Sequence, residues 1–138
     1  MTADITLLCI GGVDSSAAAG LDADRQAAES VGVRPHLVAT AHTEQDERAV
    51  HALGAREPEE WLAEARAALP RCEGVKIGLP PGPEHLLAAI ELLSELGDRH
   101  WVFDPVIESS SGFRFLNTRA LGILREELLP MGPILTPN

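Results

Sequence analysis

The stretch that most constrains the fold of this chain is a turn of small residues between a strand pattern and a helix pattern. The apolar run from Ile5 to Ile10 has the composition of a buried strand. The segment from Gly11 to Asp24 follows, and a helical pattern starts near Leu21. Such a turn brings a ligand close to backbone amides at a helix start, where partial positive charge favours polar or anionic groups. The glycines lack the spacing of the dinucleotide-binding fingerprint, and no Gly-Lys-Ser/Thr follows as in a Walker loop.

Strand and helix patterns then alternate along the chain. We expect strands at 5–10, 36–41, 75–79, 101–103 and 133–136, and helices at 22–31, 59–69, 84–96 and 118–128. Pro58 and Pro83 suit the first turn of their helices, and Asn117 or Thr118 suits the cap of the last one. The polar segment 43–56 has no clear pattern. This alternation predicts a single α/β domain over residues 1–138, with three α/β/α layers and a mainly parallel sheet of about five strands.

Charge and cysteine content restrict the partners and the compartment. With 21 acidic and 11 basic residues, the formal net charge is −10 at pH 7, which argues against a nucleic-acid surface because such a surface needs a basic stripe. The apolar runs are too short to cross a membrane, and the first residues lack the basic start of a secretion signal. Neither Cys9, in a predicted strand, nor Cys72, in a predicted loop, suggests a disulfide framework. We expect one buried thiol and one surface thiol in a reducing cytoplasm.

Polar residues collect where the predicted strands end, which is where parallel α/β sheets bind their ligands. Each has a structural alternative. Asp14 would close its own turn, Asp24 would stabilise the first turn of a helix, and Gln45 and Asp104 would be ordinary loop residues. Lys76 lies within an apolar strand and needs a partner or a route to solvent, so a salt bridge at the sheet end is its alternative. The residues alone leave these alternatives open.

Five short segments follow the turn from Gly11 to Asp24 in order along the chain: T-A-H-T-E-Q at 40–45, V-K-I-G-L at 75–79, W-V-F-D-P-V at 101–106, L-L-P at 128–130 and I-L-T-P-N at 134–138. Together with that turn, they resemble the hydroxymethylpyrimidine/phosphomethylpyrimidine kinases of thiamine biosynthesis, members of the ribokinase-like superfamily. The turn itself is similar to the family pattern A-G-x-D-x-S-G-G-A-G-I-Q-A-D. The resemblance covers essentially the whole chain, but it corresponds to the N-terminal half of the family's length.

The resemblance implies a set of site residues and a reaction. A pyrimidine pocket would be lined by Gly12, Ala19, Asp24, Gln45, Leu79 and Val106. Asp104 would hold magnesium through water. The carboxamide of Gln45 can donate and accept hydrogen bonds at once, which suits an aminopyrimidine. For the full-length family, the resemblance implies phosphoryl transfer from Mg-ATP to the pyrimidine hydroxymethyl group or its phosphate, by positioning and charge stabilisation. It makes neither ATP nor magnesium certain for this chain.

The chain departs from the family pattern at several of these positions. Ala17 and Ala18 replace two glycines and restrict the backbone there. Ser110 and Phe113 replace the lysine and the aspartate of the family's A-K-S-G-D loop, which removes a positive contact for phosphate. Leu79 replaces a methionine, which is a milder change because an apolar wall is retained. The remaining magnesium ligand, the catalytic turn and most of the ATP pocket belong to the family's second half.

Two functions therefore stay open. The chain is either part of an ATP-dependent pyrimidine kinase and inactive by itself, or a non-catalytic pyrimidine-binding or assembly module derived from such a kinase. In either case the apolar strand at Ile134 and Leu135 would present an unpaired edge unless another polypeptide covers it. We therefore expect self-association into a homo-oligomer through this strand.

Overall fold

The computed structural model describes residues 4–16, 19–45, 50–78, 80–108 and 111–137. Its strands are β1 Thr6–Asp14, β2 Arg34–Gln45, β3 Val50–Ala55, β4 Gly74–Ile77, β5 His100–Phe103 and β6 Ile134–Leu135. Its helices are α1 Gly20–Ser30, α2 Pro58–Ala68, α3 Pro83–Leu93 and α4 Thr118–Ile123. The helical path of α4 continues through a π-helical turn, Leu124–Leu128, and a 3₁₀ turn, Leu129–Met131.

The strands form one six-stranded sheet in the order β3-β2-β1-β4-β5-β6. All neighbouring strands are parallel except β2 and β3, which form an antiparallel pair. The predicted mainly parallel sheet is confirmed, but the expected strand boundaries missed β3 and ended β2 at Ala41 rather than at Gln45. The strand β3 was missed because its six residues include two alanines and a glycine, which are depleted in strands, and because its pairing with β2 leaves no local pattern.

The sheet has helices on both faces, so the domain has three layers. Alternate residues of β1 face the two sides. Leu8 and Ile10 belong to the main core, into which α2, α3 and α4 pack on one face. On the other face α1 lies over β1 and β2, burying Leu21 and Ala28. Cys9 points to this second face and lies near the inner side of α1. The α/β/α layering predicted from the alternating pattern is therefore confirmed, with α1 on one face of the sheet and α2, α3 and α4 on the other.

Local sequence rules explain where the helices begin. Pro58 and Pro83 are the first residues of α2 and α3. A backbone N–H at this position has no partner within the helix, so proline loses no hydrogen bond there. At α4 the side chain of Asn117 accepts a hydrogen bond from the backbone N–H of Ala120 at 2.9 Å, so the predicted cap is confirmed.

The cysteines differ in part from expectation. Both are free thiols, and Cys9 is fully buried as predicted. The prediction of a surface thiol at Cys72 was wrong, since this residue is only 4% exposed and its thiol donates to the carbonyl oxygen of Ala68 at 3.4 Å. Cys72 follows the 3₁₀ turn that ends α2, and this turn carries it back into the main core. Over the described ranges, none of the helices has both the length and the apolarity needed to span a bilayer.

Candidate substrate site at the carboxyl edge of the sheet

The turn between β1 and α1 folds back onto the end of β1. Gly20, the first residue of α1, has a φ of +63° and forms an isolated antiparallel bridge with Val13. A Cβ added at Gly20 would collide with the carbonyl oxygen of Gly12. The left-handed conformation and the close approach both require glycine. Ala19, the neighbour of Gly20, is thereby held at the same edge of the sheet as Gly12.

Asp14 fixes the conformation of this turn from within. Its buried carboxylate accepts a hydrogen bond from the backbone N–H of Ser16 at 2.8 Å and from the Ser16 hydroxyl at 2.9 Å. The turn is also joined to β2, because the Thr43 hydroxyl donates to the carbonyl oxygen of Val13 at 3.2 Å. The structural alternative for Asp14, closure of its own turn, is therefore confirmed.

Asp24 and Lys76 form an ion pair on the α1 face of the sheet. The Lys76 ammonium donates to both carboxylate oxygens of Asp24 at 2.8 Å, with side chains only 17% and 18% exposed. The salt-bridge alternative for Lys76 is confirmed. The buried thiol of Cys9 lies beside this pair, and burial together with the Asp24 charge raises its pKa to about 12. Direct binding of a pyrimidine by Asp24 stays a prediction, and its carboxylate already has a strong partner.

Asp104 presents a buried carboxylate oxygen at the end of β5. Its backbone N–H donates to the Ile77 carbonyl oxygen at 2.9 Å, which holds the residue beside the end of β4. Among the described residues, the Oδ1 atom of Asp104 has no hydrogen-bond partner. A buried acceptor without a partner is unfavourable, so this oxygen is suited to a ligand that supplies a donor or a positive charge.

The surroundings of Asp104 decide which cation it would suit. Within the parts of the chain that the structure describes, no three His, Cys, Asp or Glu side chains converge on a metal-binding position. Magnesium usually takes one or two carboxylates and completes its shell with water and substrate phosphates. A single orphaned carboxylate oxygen fits that ion, and it does not fit a metal that needs several protein ligands.

The segment after β5 returns across the carboxyl edge of the sheet towards β2. The Phe115 N–H donates to the Ile107 carbonyl oxygen at 2.9 Å, and Glu108 and Arg114 form an isolated antiparallel bridge. Val106 and Phe113 pack against Ala41 and Phe115. Because Ala41 is the β2 partner of Gly12, this packing brings Val106 to the region of Gly12. We call Ala41, Val106, Phe113 and Phe115 the rim cluster.

Several of the predicted site residues share the carboxyl edge of the sheet, namely Gly12, Ala19, Val106 and Asp104, and the backbone of Gln45 ends β2 at that edge, opposite Val50. Asp24 lies on α1, over the face of the sheet opposite the main core, and its ion-pair partner Lys76 lies close to Gly78 at the end of β4. Leu79, Ala17, Ala18 and Ser110 lie outside the described residues.

Two aromatic residues near the site were not predicted as site residues. Phe113 and Phe115 have ring centroids 5.2 Å apart with planes tilted by 55°. The family pattern marks Phe113 only as a departure in the loop after β5. The sequence does contain a signal for this pair: two aromatic residues stand at positions i and i+2 directly after a serine-rich turn. Such large apolar side chains need a surface to pack on.

A comparison with family models decides the classification. Residues 14–138 match the model described as phosphomethylpyrimidine kinase. The chain belongs to the phosphomethylpyrimidine kinase family. A hydroxymethylpyrimidine/phosphomethylpyrimidine kinase of Rhizobium meliloti is 36% identical over 133 residues, which cover 95% of this chain and 50% of that protein. A chloroplastic thiamine biosynthetic bifunctional enzyme of Arabidopsis thaliana is 36% identical over 134 residues, 96% of this chain and 26% of the relative.

Solved structures agree with this assignment. The crystal structure of phosphomethylpyrimidine kinase from Clostridium difficile 630 superposes with a TM-score of 0.88 and 33% identity, over 98% of this chain and 59% of that one. A pyridoxal kinase from Staphylococcus aureus, in complex with AMP-PCP and pyridoxal, has a TM-score of 0.84 at 23% identity and covers 99% of this chain and 49% of its own. The second similarity concerns the fold alone. The chain thus spans between a quarter and three fifths of the relatives named here.

Proposed function

We propose that this chain provides the pyrimidine-binding part of an ATP-dependent hydroxymethylpyrimidine/phosphomethylpyrimidine kinase of thiamine biosynthesis. Family membership supports the reaction class. The observation that carries the proposal is the contact between the β1–α1 turn and the end of β1, where Gly20 packs against the Gly12 carbonyl. This packing holds Gly12 and Ala19 at the edge of the sheet where parallel α/β proteins bind ligands.

In this proposal the pocket would be lined by Gly12, Ala19, Gln45, Leu79 and Val106. The small residues of the turn let a flat ring approach the backbone closely, and Val106 offers an apolar wall. The Gln45 carboxamide would donate to a ring nitrogen and accept from an exocyclic amino group of an aminopyrimidine. Asp24 enters this proposal as a positioning residue, because both of its carboxylate oxygens accept hydrogen bonds from Lys76.

Asp104 is the proposed holder of magnesium, through a bound water. Magnesium, when bound, would supply positive charge to the transferring phosphoryl group. Asp104 itself would accept a hydrogen bond from the water with its Oδ1 atom, which is buried and lacks a partner among the described residues. This role matters in a chain of formal charge −10, since an anionic nucleotide needs local positive charge to approach.

We propose that this chain binds the pyrimidine, and that phosphoryl transfer belongs to the whole protein of the family. The chain spans half of the Rhizobium meliloti kinase. A reducing cytoplasmic compartment belongs to the same proposal, because Cys9 and Cys72 are buried free thiols.

A second candidate function is that of an assembly module. The specific observation is the edge strand β6, whose Ile134 and Leu135 are 55% and 46% exposed. Exposed apolar residues on an edge strand favour pairing with another chain. In that case the chain would associate with itself or with a second polypeptide through β6, whether or not the pyrimidine pocket still binds.

Calorimetric titration tests the first proposal against the second. Hydroxymethylpyrimidine should bind the chain in the absence of ATP, and Gln45→Ala should weaken that binding. Gln26→Ala is the matched control, because Gln26 is an exposed glutamine of α1. If the folded wild-type chain releases no heat with the pyrimidine at millimolar concentration, the binding proposal fails and the assembly module remains.

A further inference from the structure

We propose that Arg56 is a positioning residue of the substrate site, because it holds an irregularity in β2 that sets the register of this strand against the β1–α1 turn. Its effect on binding rests on the proposed function, whereas its effect on the strand can be measured without a ligand. Arg56 directly follows β3 and is not one of the proposed pocket residues.

The strand β2 carries one extra residue opposite the start of the β1–α1 turn. Gly11 pairs with Ala39, but the next residue, Gly12, pairs with Ala41, so Thr40 is the extra residue. Its side chain is buried, with only 2% exposed. An extra residue of this kind bends the strand and shifts the pairing of every later residue by one position.

The shifted register places Thr43 against the β1–α1 turn. Thr43 lies opposite Asp14, a place that His42 would take in an unshifted pair. The Thr43 hydroxyl donates to the Val13 carbonyl oxygen at 3.2 Å, and the Thr43 carbonyl oxygen accepts from the Ser15 N–H at 3.2 Å. The unshifted register would turn the Thr43 side chain to the opposite face of the sheet and remove the hydroxyl contact.

Arg56 binds the backbone of β2 at the extra residue. Its guanidinium Nη1 atom donates to the Ala39 carbonyl oxygen at 2.8 Å, and its backbone N–H donates to the Thr40 carbonyl oxygen at 2.9 Å. One residue thus holds two consecutive carbonyl groups at the point where the register changes. An irregular strand disrupts the regular ladder, and a backbone carbonyl left unpaired away from water is unfavourable. Arg56 therefore stabilises the shifted register.

Glu64 on α2 orients the guanidinium of Arg56. Its carboxylate accepts a hydrogen bond from the same Nη1 atom at 3.0 Å, and the Arg56 and Glu64 side chains are 29% and 44% exposed. A charge-assisted hydrogen bond of this kind adds strength and directs the long arginine side chain. Since α2 packs into the main core, the contacts connect a packed helix through Arg56 to β2 and, through Thr43, to the β1–α1 turn.

Amide hydrogen exchange followed by NMR measures the effect on the strand. Arg56→Met removes the guanidinium and keeps the backbone N–H. Protection of the Ser15 N–H should then fall about tenfold relative to that of the Arg34 N–H, which donates to the Ile5 carbonyl oxygen at the far end of the β1–β2 pair. Arg56→Lys should recover part of this loss, because an ammonium group can still donate to the Ala39 carbonyl oxygen.

Calorimetric titration with hydroxymethylpyrimidine measures the effect on the site. Arg56→Met should bind about tenfold more weakly per folded molecule, with the folded fraction taken from urea denaturation. Glu64→Ala should change Ser15 protection and pyrimidine affinity in the same direction but by less, because the guanidinium stays. Arg34→Met is the matched control and should change neither quantity, since Arg34 lies on the same strand and pairs with Asp4 at the surface.

Unchanged relative protection of the Ser15 N–H in Arg56→Met would overturn the inference, because the register would then not depend on the guanidinium. Lower protection with unchanged pyrimidine affinity would also overturn it, since Arg56 would then have a purely structural role while the proposed function stands. If Arg56→Met does not fold, Glu64→Ala decides by the same criteria. Absence of binding to the wild type overturns the proposed function, and the positioning role of Arg56 with it.

Discussion

Lys76, in the middle of the sheet, donates hydrogen bonds to both carboxylate oxygens of Asp24 at 2.8 Å and so joins β4 to α1. Both side chains are more than four fifths buried. Removing one partner leaves the other charge poorly solvated, whereas removing both leaves two apolar groups in a largely apolar cleft. Replacing both residues should therefore cost less stability than the two single replacements added together.

We expect Asp24→Leu and Lys76→Met each to lower the free energy of unfolding by about 1–3 kcal/mol, a range reduced from that of a fully buried pair because some solvent reaches it. The double variant should be closer to the wild type than either single one. Urea denaturation measures all four proteins. Asp22→Leu is the control, because Asp22 pairs with Arg25 on the surface. Simple additivity of the two losses would contradict the coupling.

The same variants test whether Asp24 acts on substrate directly. If Asp24 is a positioning residue, Asp24→Leu and Lys76→Met should change pyrimidine affinity to a similar extent, since both release the same contact. A far larger loss in Asp24→Leu than in Lys76→Met would instead support direct hydrogen bonding of Asp24 to the pyrimidine.

Gly20→Ala should be strongly destabilising for two separable reasons. Gly20 has a φ of +63°, and an added Cβ would strike the Gly12 carbonyl oxygen. Gly32 has a similar φ of +77°, but a Cβ added there would have no atom within 4 Å. Gly32→Ala therefore measures the cost of the left-handed backbone conformation without a steric clash. We expect a loss of about 1–2 kcal/mol at Gly32 and a larger loss at Gly20. Thermal and urea unfolding give the comparison, and equal losses at both sites would show that the contact with Gly12 is unimportant.

His85 should make stability depend on pH. The indole N–H of Trp61 donates to Nδ1 of His85 at 2.9 Å, so this nitrogen must be unprotonated. Burial lowers the pKa of His85, and the nearby carboxylates of Glu84 and Glu59 only partly oppose this effect. The unfolded chain therefore binds a proton at a higher pH than the folded chain does. The stability is complete above the unfolded pKa of about 6.5 and is lost as the pH falls from there towards the lower folded pKa.

Urea denaturation between pH 5 and pH 8 measures this dependence. The wild type should lose stability below about pH 6.5, and His85→Gln should follow a flatter profile because it removes the titrating group. His100→Gln is the control, since His100 is exposed at the start of β5. A slope in His85→Gln as steep as in the wild type would assign the effect to other groups.

Features that depend on neighbouring residues were predicted correctly from the sequence, whereas features that depend on distant contacts were not. Pro58, Pro83 and Asn117 predicted helix starts correctly because capping involves only near neighbours. The β2–β3 pair was not predicted because β3 contains two alanines and a glycine, and because its pairing depends on the rest of the sheet. Cys72 was misplaced because a turn after α2 returns it to the core. The rim cluster joins Ala41 to Phe115, and contacts so distant in sequence leave no periodic pattern.

Asp104→Asn should separate magnesium dependence from folding. The Oδ1 atom has no partner among the described residues, so replacing the charged carboxylate with an amide should not destabilise the fold. We expect magnesium chloride to strengthen binding of hydroxymethylpyrimidine phosphate to the wild type by roughly tenfold, or about 1.4 kcal/mol, and to have no such effect on Asp104→Asn. Calorimetry with sodium chloride at matched ionic strength is the control. An equal magnesium effect on both proteins would remove Asp104 from the proposed ion site.

The exposed strand β6 gives the last prediction. Ile134 and Leu135 are 55% and 46% exposed, and edge strands with apolar side chains pair readily with other chains. We expect the wild type to self-associate with rising concentration, as measured by light scattering, and Ile134→Lys to shift it towards monomer because a charge on the edge opposes pairing. Val31→Lys is the matched control, since Val31 is also a β-branched apolar residue. It is 74% exposed and follows α1, away from the β6 edge of the sheet. A wild type that stays monomeric at millimolar concentration would refute association through β6.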